Sequence, residues 1–135
     1  MMLTRVSEEL LAGGLECAAT STDPEALLAA LVEQQVQFAL RQPDLIVVHA
    51  RELRQLDDEQ AHIVRALQRQ YVDVWVDALR RAHSRVTKAR ATAAVQASIG
   101  LINSTPYVHG LGRAATGSLL REMALAALAA VSPAH

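Results

Sequence analysis

The chain has 135 residues, of which 51% are hydrophobic and 20% charged, so it holds too much apolar material for a disordered tail. A formal net charge of −1 gives no electrostatic support for holding DNA or RNA by this chain alone, and the four aromatics Phe38, Tyr71, Trp75 and Tyr107 are too few for a base-stacking surface or a β-sandwich core. One cysteine, Cys17, excludes an intrachain disulfide and a cysteine-based zinc site; no apolar run reaches the roughly 18 residues of a membrane span. With no signal-peptide order at the start, the expectation is a single domain in a reducing cytoplasm.

Alanine is frequent and strict apolar–polar alternation is nowhere sustained, which predicts an all-α fold of about six helices. The first runs from about Leu3 to Ala19, with a stripe of Val6, Leu10, Leu11 and Leu15 weakened by Gly13 and Gly14. Thr22-Asp23-Pro24-Glu25 is a capped start with proline in the first turn. Leu27, Leu28, Leu31, Val32, Gln35 and Phe38 follow at helical spacing to about Arg41. Pro43 opens a third helix, in which Leu45 to Val48 is apolar all round and so predicts burial on several sides. Asp57 caps a fourth, of about seven turns, whose inner face reads Ile63, Val64, Leu67, Tyr71, Val74, Trp75, Ala78, Leu79 and Ala82. Thr87 caps a fifth that reaches about Ser104 ahead of Pro106. Its stripe Ala89, Ala93, Ala97, Gly100 and Ser104 has no large side chain. A loop from Pro106 to Gly112 leads to a sixth helix, about Ala114 to Val131, rich in Leu and Ala.

Catalytic machinery is not visible. There is no phosphate-binding glycine loop, no nucleophile elbow and no His-x-x-x-His pair. His49 and Glu52 stand one turn apart, as do Glu59 and His62, but two ligands do not make a zinc site. No catalytic set, metal or cofactor is expected, and the chain is not read as an enzyme. Arg80, Arg81, Arg85, Lys88 and Arg90 cluster at a helix junction, where cations favour the negative end of the long helix. Tyr71 and Trp75 share a face of the fourth helix, Gln96, Ile99 and Asn103 share a face of the fifth, and Phe38 and His49 lie on the apolar sides of the second and third. Two readings of these seven stay open: core residues with polar tips at the rim, or the lining of an apolar cavity with a few polar groups to orient a ligand.

The small-residue stripe and the weakly charged last helix point to a homodimer, since small side chains admit a second helix closely and an apolar face needs cover. The candidate interface is Ala93, Ala97, Gly100 and Ser104 on the fifth helix with Leu120, Ala124 and Leu128 on the sixth.

The segment Phe38-Ala39-Leu40-Arg41-Gln42-Pro43-Asp44-Leu45-Ile46-Val47-Val48 prompts a family comparison. So do Arg51-Glu52-Leu53-Arg54-Gln55-Leu56, Gln70-Tyr71-Val72-Asp73-Val74-Trp75, Ala97-Ser98-Ile99-Gly100-Leu101-Ile102-Asn103-Ser104-Thr105-Pro106 and the final Leu/Ala helix. In this order they resemble the C-terminal regulatory domain of tetracycline-repressor-type (TetR-family) transcription factors over nearly the whole chain. The resemblance implies a ligand cavity lined by the second to fifth helices. It also implies a four-helix dimer interface made by Thr87–Ser104 and Ala114–Val131 with their mates. In that family a helix-turn-helix head precedes this domain. The expectation here is a headless chain that does not bind DNA alone: an excised domain, a truncated reading frame or a natural headless paralogue. Its function would be effector binding and dimerisation for a repressor that senses an apolar, lipid-derived or acyl-CoA-like molecule. The alternative is an interaction module that pairs with a complete regulator.

Overall fold

A computed structural model describes residues 2–133, in which six α-helices and one 3-10 turn account for the regular structure and no strand occurs. The boundaries follow from local chemistry. Helix α1 spans Met2–Thr20. The Asp23 carboxylate accepts from the Ala26 N–H at 3.0 Å and Pro24 fills the first turn, so α2 runs Pro24–Arg41. A break at Gln42 lets Pro43 start α3, Pro43–Gln55. Asp57 accepts from the Gln60 N–H at 2.7 Å to open α4, Asp58–Ala82, and Thr87 accepts from the Arg90 N–H at 3.2 Å to open α5, Lys88–Ile102. A 3-10 turn at Thr105–Tyr107 and a loop through Gly110, whose φ of +98° suits glycine, lead to α6, Arg113–Ala129.

The long α4 is the centre, packed against α1, α2 and α5; α6 covers α2 and α5, and α3 lies at the edge against α2, α1 and the 3-10 turn. The core is densest where Leu27, Leu31, Val32, Trp75, Leu79, Val86, Val95 and Leu128 meet. A large apolar side chain buried there contributes about 1.5–3 kcal/mol. Close approach is needed at two points. A Cβ on Gly117 of α6 would lie 2.8 Å from Leu40 Cδ1 of α2, and one on Gly14 of α1 would lie 3.2 Å from the Tyr71 ring of α4. Gly14 therefore lets α1 lie against α4, while Gly13 faces the Gln34 side chain of α2.

Three expectations are corrected. None of Leu45, Ile46, Val47 and Val48 is buried, and Val47 is 49% exposed, because α3 turns one side inward and leaves the other to solvent. On α6, Leu120, Ala124 and Leu128 belong to the chain's own interior, packed toward α2 and α5. The outward apolar face of that helix is Leu119 and Met123, with Ala126, Ala127 and Ala130. Leu15 and Ile63, assigned to inner stripes, also lie outside.

Candidate functional site

Between α1, α2, α3, α4 and α5 the packing leaves a half-open cavity of about 610 Å³. Helical spacing explains how each element reaches it. Leu3, Val6, Ser7 and Leu10 recur at three and four along α1, Gln35 and Phe38 are one turn apart on α2, and Leu45, Ile46 and His49 do the same on α3. From α4 come Arg65, Gln68, Arg69, Tyr71, Val72 and Asp73; Thr92, Gln96, Ile99 and Asn103 form one line down α5 to its C-cap.

Six of the seven residues singled out from the sequence, Phe38, His49, Tyr71, Gln96, Ile99 and Asn103, meet around this space. Trp75 does not. It is 0% exposed, packs edge-on to Tyr71 with ring centroids 6.1 Å apart, and belongs to the solid core. The contributions of α1 and of Gln35, Arg65, Gln68 and Arg69 were not singled out. Their signal is present in the sequence as polar residues set into apolar stripes: Ser7 between Leu3 and Leu10, and Gln35 between Leu31 and Phe38.

The inner polar groups are bonded to one another. Gln35, 2% exposed, donates through Nε2 to Asn103 Oδ1 at 2.9 Å and accepts at Oε1 from the Tyr71 hydroxyl at 2.8 Å. Gln34 Nε2 donates to the Tyr71 oxygen at 3.3 Å and to the Leu10 carbonyl at 3.2 Å. Burial pushes the Tyr71 phenol up to about 12, so its proton stays in place at neutral pH. Nearer the edge, Gln68 Nε2 lies 2.6 Å from His49 Nε2, a bond in which the amide donates to a neutral ring. Burial lowers the His49 pKa from 6.5 against the opposing pull of Glu52, which favours that neutral form.

The remaining candidate groups take structural roles. Arg80 donates to the Val86 carbonyl, Arg81 to the Thr22 carbonyl and Arg90 to the Ser132 carbonyl, so three members of the basic run tie down loop and chain-end backbone. Glu33 of α2 is joined to Arg121 of α6 by a two-pronged pair, which lowers the carboxyl pKa. Cys17 is half-buried and its thiol is pushed up by burial, which opposes thiolate reactivity. Among the described residues no group of three or more His, Cys, Asp or Glu is placed to hold a metal, and no helix is long and apolar enough to cross a membrane.

The proposed interface residues divide. Ala93, Ala97 and Gly100 are exposed along α5 and Ser104 is half-buried, whereas Leu120, Ala124 and Leu128 point inward. A Cβ on Gly100 would meet nothing within 4 Å, so that side of α5 is open.

The profile described as "Tetracyclin repressor-like, C-terminal domain" matches residues 21–107. The chain belongs to the tetracycline-repressor-like family. Comparison with curated proteins finds no similar sequence. The match runs from the cap of α2 through the 3-10 turn and so takes in α2, α3, α4 and α5, four of the five helices around the cavity. Tetracycline-repressor-like C-terminal domains belong to transcription regulators rather than to enzymes, in which they bind effectors and dimerise.

Proposed function

We propose that this chain is the effector-binding and dimerisation domain of a cytoplasmic transcription repressor, and that its effector is an apolar or lipid-derived small molecule of the acyl-CoA kind. The observation that carries this is the cavity itself. Its volume of about 610 Å³ falls in the range of small-molecule sites, and Leu3, Val6, Leu10, Phe38, Ile46 and Ile99 give it apolar walls. An acyl chain suits such walls, while Arg65 and Arg69, both exposed at its edge, are available to the anionic part of a ligand. The dimer is supported by the open side of α5 together with Leu119 and Met123 of α6. Across a two-fold axis each such residue would be used twice. Effector action would then follow from different affinities for two arrangements of the dimer.

Native mass spectrometry of the purified chain, followed by calorimetric titration with decanoyl-CoA, tests both halves. The expected species is a dimer, and titration should give saturable binding with one site per chain. A monomer at micromolar concentration removes the dimer; no heat and no co-purified small molecule removes the effector site.

A further inference from the structure

We propose that the cavity recognises a carbonyl oxygen on its apolar ligand through the side-chain N–H groups of Asn103. This deepens, and rests on, the reading of the cavity as an effector site. It follows from the direction in which the buried hydrogen bonds run.

The Leu10 backbone carbonyl can only accept. The Gln34 side-chain atom 3.2 Å from it is therefore the amide nitrogen, and this donates. The same nitrogen lies 3.3 Å from the Tyr71 oxygen and donates there too. Tyr71 has one proton, which goes to Gln35 Oε1 at 2.8 Å. With its oxygen occupied, Gln35 turns Nε2 toward Asn103 and meets Oδ1 at 2.9 Å. From Gln34 to Asn103 the three bonds point the same way, and bonds in such a series polarise one another.

The series ends at Asn103, whose Oδ1 accepts from Gln35 and whose Nδ2 has no hydrogen-bond partner among the described residues. Asn103 lines the cavity. One backbone carbonyl, four residues away along the series, thus fixes the Asn103 amide with its N–H groups left to donate. A carbonyl oxygen matches it because it accepts and offers no proton of its own. Ser7, also on the wall, can donate or accept and does not discriminate. Arg65 and Arg69 add donors at the edge, and Asp73 is the one carboxylate among the lining residues. A ligand with a methylene where the carbonyl should be would seal the Asn103 N–H groups away from water without a partner. Loss of that hydrogen bond is worth about tenfold or more in affinity.

The probes are acetylnaphthalene and ethylnaphthalene substituted at the same ring position, which share a shape and differ by one carbonyl. Calorimetry on the full chain should show the ketone bound about tenfold more tightly. Asn103→Asp keeps an oxygen for Gln35 but replaces the donor pair, so the preference should vanish or reverse while ethylnaphthalene binding changes little. Equal binding of the two probes by the wild-type chain overturns the proposal and leaves the cavity reading standing; so does a preference that survives in Asn103→Asp. Failure of both probes to bind while decanoyl-CoA still binds overturns the proposal alone; failure of decanoyl-CoA as well removes the cavity reading with it. The wild-type comparison decides even if Asn103→Asp does not fold, which thermal melting reports.

Discussion

The two ends of α4 are built by the same helical periodicity and do different things. Toward its C-terminus, Trp75, Ala78 and Leu79 are fully buried against Leu27, Leu31 and Val95, and the space is filled. Toward its N-terminus, Arg65, Gln68 and Val72 face a hollow shared with α1, α2, α3 and α5. Tyr71 stands at the boundary, its ring against Trp75 and its hydroxyl in the network of the cavity wall. What separates the ends is the company on the inner face. The filled end is apolar but for the Trp75 indole Nε1, which is buried without a hydrogen-bond partner among the described residues. The hollow end carries Gln35, His49, Gln68 and Asn103, which bond to one another and so can be buried without collapsing onto each other. Tight packing is concentrated in the first end, and under the proposed function recognition belongs to the second.

Truncation at the two ends should therefore differ most. Trp75→Ala opens a void in a packed region and is expected to cost about 3–5 kcal/mol in urea unfolding. Phe38→Ala enlarges a space that is already empty and should cost less than half as much. Equal costs would show that the hollow closes in solution.

The two faces of α6 offer the next contrast. Leu128→Glu places a charge in the chain's interior and should prevent folding. Met123→Glu on the outer face, like Ala97→Glu on α5, should leave helicity intact. Each should shift the proposed dimer to monomer in analytical ultracentrifugation, at a cost of about 3 kcal/mol or more for an unpaired charge brought into an interface. If Met123→Glu and Ala97→Glu still sediment as dimers, the interface lies elsewhere.

At the boundary residue, Tyr71→Phe keeps the ring and removes one hydroxyl. It should cost about 1–2 kcal/mol, because Gln35 Oε1 loses its donor in a buried place. The same variant should weaken carbonyl discrimination by freeing Gln35 to turn over, which a matched calorimetric titration measures.

The smallest effect concerns acidification of the hollow end. The folded state lowers the His49 pKa below 6.5, so the unfolded chain takes up the proton first. This contribution to stability is present above the unfolded pKa and is lost as pH falls through it toward the lower folded pKa. The melting temperature should drop between neutral and mildly acid pH by slightly more in the wild-type chain than in His49→Gln. No difference between the two would place His49 in a solvated position.

Six lining residues are legible in the sequence because helical spacing puts them on shared faces: Gln96, Ile99 and Asn103 in one line, Tyr71 on the inner side of α4. Trp75 obeys the same spacing as Tyr71 and misses the cavity by one turn. A stripe says which side of a helix is inward, and it does not say whether the opposite wall reaches it. Gln34 is not legible in the sequence because its partners lie 24 residues or more away along the chain.

Local chemistry in the sequence determined the helices. Asp23, Asp57 and Thr87 each cap through a bond to a backbone N–H three residues on, and Pro43 breaks the chain after α2, so all four signals act within one turn. Only the tertiary structure decided which face of α6 is inward, how α3 is exposed and whether α4 ends in a core or a hollow. Leu and Ala surround α6 on every side, so its own sequence has no strong preference. The choice falls to Leu40 and Val36 of α2, which meet Gly117 closely and leave Leu119 and Met123 outside. Filling is a property of volumes summed over five helices, and no single stripe contains that sum.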